Sequence, residues 1–292
     1  MSLPVIVGVD GSSESIAAAE WAAHESELRG APLLIVYADE WAGAATSQGV
    51  GPDARCRRAD ELLAEAAESV RRLHPVLQID TRQLAGPPAA ALAGAGAEAV
   101  LLVLGSRGLS GLRGFLLGSV GMAAIGATEC PVVLVRVPGR STVPARSAVA
   151  RSSRDVVVGV DIDQFFDPLL DFGFQEAASR DARLLALYGW SIPPVVRDAS
   201  ALVAAEREMG PDIARRLAAD LRPWRLMFPS VDLVERSCVG GPAQLLLQAA
   251  ENAELVVVGR RVRRGTLGAH VGPVTHAVIH HCAVPVAVVA HE

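Results

Sequence analysis

Apolar residues gather along this chain in short unbroken runs: VIVGV at 5–9, LLIVY at 33–37, VLLVL at 100–104 and VVLV at 132–135. None alternates with polar residues. Runs of this length without period-2 alternation are expected of parallel strands buried on both faces under helices. The pattern predicts strands near 4–9, 32–37, 77–84, 100–104 and 131–136, separated by helices near 13–29, 54–73, 88–97 and 119–127. Ser12 or Ser13 can cap the first helix, and Gly30 lies just past its end. The product is a five-stranded, doubly wound α/β sheet, in which ligands sit at the carboxyl ends of the strands.

The pattern then repeats. Val5-Ile-Val-Gly-Val-Asp10 returns as Val156-Val-Val-Gly-Val-Asp161, and Leu34-Ile-Val-Tyr37 as Leu185-Ala-Leu-Tyr188, both at an offset of 151. Gly86-Pro-Pro88 returns as Gly240-Gly-Pro242 at 154, where Gly105, Gly118 and Pro131 also fall on Gly259, Gly272 and Pro285. Two copies of one domain are therefore expected, over 1–137 and 155–292, with about three residues inserted between the second and third strands of the second copy. Residues 137–154 (VPGRSTVPARSAVARSSR) are rich in Pro, Ser and Arg, and 138–154 reads as a solvated linker. Residues 41–53 (WAGAATSQGVGPD) read as an excursion over the strand ends.

Composition narrows the function. Half of the 292 residues are hydrophobic, enough for a core in each half. A net charge of −5 argues against a general nucleic-acid binder. Cys56, Cys130, Cys238 and Cys282 form neither a C-x-x-C pair nor a disulfide framework, as in a reducing cytoplasm. The first residues enter a strand with no basic segment or cleavage site, and no apolar run reaches membrane length uninterrupted. A cytoplasmic protein without a membrane or nucleic-acid partner is expected.

Residues 100–120 carry the chemistry. A buried strand ends at Gly105, and a glycine-rich loop then leads to Gly118-Ser119 at a helix start. Glycines let backbone approach an anion, while unpaired helix N–H groups point at it. The spacing matches neither the P-loop nor G-x-G-x-x-G. Elsewhere, His276 and His280 lie four apart on the last helix, beside His281 and Cys282. They lack a third spaced ligand and read as a basic helix C-terminus. No Ser/His/Asp set or positioned nucleophile emerges, so any hydrolysis is expected to be slow.

With Gly105-x2-Gly108-x9-Gly118-Ser119, the preceding apolar strand, Val7-Gly-Val-Asp10 at the start and Glu129-Cys-Pro-Val-Val-Leu-Val135 at the end, the first half resembles the universal stress protein family. The resemblance implies a tandem pair of Rossmann-like (adenine nucleotide alpha hydrolase-like) domains with strand order 3-2-1-4-5. It also implies ATP as ligand, with or without magnesium. The halves are expected to pair through residues 132–135 and 286–289, with a homodimer beyond that. Carried over by position, Gly8 and Asp10 lie beside the nucleotide and Val36 against adenine. Gly105, Ser106, Arg107 and Gly108 line phosphates and ribose, and Gly118, Ser119 and Val120 supply N–H groups and a hydroxyl. Ser119 is the expected N-cap. Gly121 stands where the family often has a second hydroxyl, a loss of about 0.5–3 kcal/mol.

The second half departs further. Val262 replaces Gly108, Pro273 replaces Ser119, and Ile162-Asp163 replaces Gly11-Ser12, while Asp161, Gly259 and Gly272 remain. Arg260, Arg261, Arg263 and Arg264 read as a charged, exposed loop. The fold is expected there without the nucleotide site. Three readings follow: a nucleotide-responsive regulator of stress or growth, a nucleotide-free scaffold or chaperone-like factor, and, ranked last, an enzyme of the wider fold group.

Overall fold

The computed structural model describes residues 2–39, 52–106, 119–137, 155–162, 164, 166–191, 199–262 and 271–292. Two compact units divide the chain. The first runs β1 (Val5–Gly8), α1 (Ser13–Arg29), β2 (Leu33–Asp39), α2 (Pro52–Leu73), β3 (Ile79–Ala85), α3 (Pro88–Gly96), β4 (Leu101–Gly105), α4 (Ser119–Ala127) and β5 (Val132–Val135). Its strands are parallel in the order β3-β2-β1-β4-β5. The second unit repeats this with β6 (Asp155–Gly159), α5 (Asp167–Ser179), β7 (Leu184–Trp190), α6 (Ala199–Met227), β8 (Leu233–Val239), α7 (Pro242–Ala250), β9 (Ala253–Arg261), α8 (Pro273–His281) and β10 (Val286–His291). Its parallel order is β8-β7-β6-β9-β10.

The apolar runs become strands because both faces of each sheet are covered. Val5, Ile6, Val7, Leu101, Leu102 and Val103 are fully buried, as are Val156, Val157 and Val158 in the second unit. Each such side chain contributes about 1.5–3 kcal/mol on leaving water. In the first unit α1 and α2 cover one face, and α3 and α4 the other. Ser12 is the cap of α1: its side chain accepts a hydrogen bond from the Ser15 N–H at 3.2 Å. Gly30 closes that helix in the left-handed conformation at φ 59°. The excursion after β2 is shorter than 41–53, because Pro52 and Asp53 already open α2. Proline is favoured there, where its missing N–H would have no helical partner. Residues 40–51 and 138–154 lie outside the described residues. No helix among those described is long and apolar enough to cross a membrane.

The repeat extends to a buried ion pair. Glu25 and Glu176, 151 residues apart, are both fully buried on α1 and α5. Glu25 pairs with Arg29 at 2.5 Å, and Glu176 pairs with Arg180, which also reaches Glu254 at 3.2 Å. The second unit adds an aromatic stack: Phe174 lies 5.8 Å from Trp224 and 5.2 Å from Phe228, centre to centre.

Candidate functional site

The strand ends of the first unit converge on β1 and β4. Gly8 is in register with Val36 on β2 and Leu104 on β4, so the three share one face of the sheet. That face is covered by α3, since a Cβ on Gly8 would stand 3.1 Å from Leu92 and 2.8 Å from Leu104. Gly8 is small because the core leaves it no room. Val36 is fully buried, so its side chain belongs to this core. The next residue on its face, Ala38, is partly exposed at the strand end.

Gly105 looks the other way. Its absent Cβ would lie 2.6 Å from the carbonyl carbon of Glu14 and 2.7 Å from the Ser15 nitrogen. The first turn of α1 therefore rests directly on the end of β4. Sequence reasoning gave this glycine to an approaching anion; the structure adds a packing requirement that pattern alone does not show.

Ser106 continues the ladder one residue beyond β4, its N–H donating to the Val135 carbonyl at 2.7 Å. Alternation returns its side chain to the face of Gly8. It is 2 % exposed, and its Oγ has no hydrogen-bond partner among the described residues. Buried hydroxyls are ordinarily satisfied, so one left over at a strand end calls for an explanation.

Asp10 lies just past β1 and is exposed. Its Oδ1 accepts from the Ser12 N–H at 2.9 Å and from the Ser12 hydroxyl at 2.5 Å, and its own N–H donates to Ser15 Oγ at 3.3 Å. The carboxylate thus builds the β1–α1 turn, with Gly11 at φ 81°. Ser119 is the first described residue of α4, and Val120, partly exposed, follows it. Arg107, Gly108 and Gly118 lie outside the described residues. The site therefore brings Gly8, Asp10, Ser106 and the start of α4 to the carboxyl end of the sheet. A separate apolar cavity of about 110 Å³ opens between α1 and α2, lined by Val9, Gly11, Ser15 and Leu62. It is smaller than the several hundred Å³ of ordinary ligand pockets.

The second unit fills the corresponding positions differently. Asp161 accepts from Gln164 Nε2 at 2.6 Å. A Cβ on Gly259 would meet the His291 ring at 2.7 Å, where Gly105 meets α1 backbone. Arg260 takes the place of Ser106. The expected exposed arginine loop is corrected here: Arg260 is 4 % exposed and only Arg261 is solvent-facing, while Arg263 and Arg264 lie outside the described residues. Strand alternation turns Arg260 inward, which a run of arginines in the sequence conceals. Helix α8 opens on Gly272 and Pro273 without a side-chain cap.

The profile of the Universal stress protein family matches residues 1–136 and again residues 153–290. The chain belongs to the universal stress protein family. Universal stress protein Rv2005c of Mycobacterium tuberculosis is 31% identical over 302 residues, covering 97% of this chain and 96% of its own. Rv2623 of the same organism, also described as a universal stress protein, is 32% identical over 300 residues, covering 100% and 97%. In structure, a universal stress protein from Archaeoglobus fulgidus superposes over 100% of both chains with a TM-score of 0.70 at 18% identity. That likeness establishes the tandem α/β fold.

Cys130, in the Glu-Cys-Pro sequence before β5, is partly buried, with its Sγ 3.6 Å from the Ala99 carbonyl. Burial pushes its thiol up to about 11, against smaller opposing effects from a backbone hydrogen bond at Leu102 and the charge of Arg29. At pH 8 the thiolate is then scarce. Iodoacetamide followed by peptide mapping is expected to modify exposed Cys56 first and to leave Cys130 slow or untouched, like the buried Cys282. The sign of the pH effect follows. An unfolded thiol releases its proton near 9 while the folded one keeps it to about 11. Stability therefore falls as pH rises through that window. Rapid labelling of Cys130 at pH 8 would contradict this.

Proposed function

We propose that this universal stress protein binds an adenine nucleotide, ATP with or without magnesium, at the strand ends of its first unit, and that occupancy sets its activity as a cytoplasmic regulator of stress or growth. Ser106 carries the reading: a buried hydroxyl with no partner among the described residues, at a strand end, on the face shared with Gly8. The spacing Gly105-x2-Gly108-x9-Gly118-Ser119 supplies the loop, and the start of α4 the N–H groups that favour an anion. Asp10 holds the β1–α1 turn that frames the site. In this reading Arg107, Gly108, Gly118, Ser119 and Val120 contact phosphates and ribose, while Val36, whose side chain is in the core, does not touch the base. The second unit, with Arg260, Val262 and Pro273 at the matching positions, contributes fold rather than a second nucleotide site. We also propose a homodimer.

Native mass spectrometry of freshly purified protein reads both proposals. The expected result is a dimer mass carrying one adenine nucleotide per chain. A chain that arrives without nucleotide, and takes none up when ATP is added, would favour the scaffold reading instead. A monomer mass at micromolar concentration would remove the dimer.

A further inference from the structure

The first unit holds a cavity away from the sheet face that Gly8 and Ser106 share. Val9 follows Gly8, so alternation turns it to the opposite face, under α1 and α2. There it lines the apolar cavity of about 110 Å³, together with Gly11, Ser15 and Ala19 on one side and Leu62 and Val70 on the other.

The internal repeat shows that the fold can close this space. At the offset of 151, Gly11, Ser15 and Ala19 correspond to Ile162, Phe166 and Leu170 in the second unit. Phe166 and Leu170 are both buried. Trp224, which corresponds to Val70 at the offset of 154, stacks on Phe174 at 5.8 Å. Large side chains thus stand in the second unit where the first has a glycine, a serine, an alanine and a valine. Protein interiors are close-packed, with few voids wider than a water molecule. The opening is therefore a feature of the first unit and not a requirement of the architecture.

Charge and size select an occupant. Glu20 on α1 and Glu65 on α2 also line the cavity, and both are exposed. Neither has a hydrogen-bond or ion-pair partner among the described residues. One carboxylate on each helix at the mouth favours a cation there and repels an anion, while the aliphatic lining takes an apolar group. A dry cavity of about 150 Å³ holds benzene, so about 110 Å³ suits a short alkyl chain better than a ring.

We propose that the cavity between α1 and α2 is a ligand site for a free short-chain alkylamine in its ammonium form. The chain lies among Val9, Leu62 and Val70, and Glu20 and Glu65 hold the ammonium. This site is separate from the nucleotide reading, which uses the other face of the sheet.

The test uses the nucleotide-free full chain at pH 7, with n-butylammonium chloride as probe and butyrate and n-butanol as comparators. At that pH the amine is protonated, as a lysine is. Titration followed in amide proton–nitrogen NMR spectra is expected to give saturable shifts at Ala19, Leu62 and Ala66. The amine should bind at least tenfold more tightly than butyrate. Ala19→Leu, which carries the second unit's leucine into the cavity, should keep or raise the melting temperature and bind the amine at least tenfold more weakly. Glu20→Gln combined with Glu65→Gln, both at exposed positions, should leave n-butanol binding unchanged and weaken the amine at least threefold. Undiminished amine binding by Ala19→Leu or by the double variant would overturn the proposal. So would butyrate binding as tightly as the amine, or no saturable shift in the wild type.

Discussion

Replacing Gly105 by alanine is expected to destabilise the first unit by about 3 kcal/mol or more, the upper end of what overpacking costs. The added methyl would enter at 2.6 Å from Glu14 carbon and 2.7 Å from Ser15 nitrogen. These are backbone atoms in the first turn of α1, so no rotamer change relieves the clash. The helix must lift from β4, and the Ser12 cap with its Asp10 turn is disturbed in consequence. Gly94 supplies the control. It is exposed within α3 and nothing lies within 4 Å of its missing Cβ. Gly94→Ala should stabilise by up to about 1 kcal/mol, the ordinary helix preference for alanine. Urea denaturation of the two variants would read opposite signs. Equal, small effects would mean that Gly105 is not pinned by α1.

The second large effect is expected at Glu176. It is fully buried and its partner Arg180 has a side chain only 8% exposed. Removing one member of a buried pair strands the other charge, at about 3–5 kcal/mol. Glu254 retains a contact with Arg180 at 3.2 Å, which limits the loss without cancelling it. The matching change in the first unit, Glu25→Ala, should cost less, because Arg29 is 18% exposed and can turn to water. The double replacement Glu176→Met with Arg180→Leu should recover part of the loss, since neither member of the pair is then left as a buried charge, although the Glu254 carboxylate loses its contact with Arg180. Thermal melts of the three variants decide it. A cost below about 1 kcal/mol for Glu176→Ala would show that the pair is solvated in solution.

Much of this was legible in the sequence, for physical reasons. Doubly buried strands must be continuously apolar, so the runs at 5–9 and 100–104 announced themselves, and the 151-residue repeat of V-G-V-D showed the second unit. Caps were legible because Ser12 and Gly30 do local work. Burial of charge was not. Arg260 looks like its neighbours in a basic run, and only the register of β9 turns it inward. Glu25-x3-Arg29 recurs as Glu176-x3-Arg180, a signal in the repeat that marks the buried ion pair once the helices are seen to cover the sheet. Gly105 was recognised as special, yet a missing Cβ does not say which neighbour requires its absence. Ser106 was named by its place in the motif, whereas its burial and unmatched hydroxyl appear only in three dimensions.

Equilibrium dialysis with ATP tests the central claim most directly, using wild type, Gly108→Val and Ser106→Ala. Gly108→Val writes the second unit's Val262 into the first unit's loop, so the chain supplies its own reference for a lost site. The wild type should bind one ATP per chain and Gly108→Val should bind at least tenfold more weakly. Ser106→Ala should lose about three- to tenfold in affinity, roughly one hydrogen bond, without loss of ligand-free stability, because it removes a buried hydroxyl with no partner among the described residues. Two ATP per chain, or equal binding by all three proteins, would contradict the assignment of nucleotide to the strand ends of the first unit.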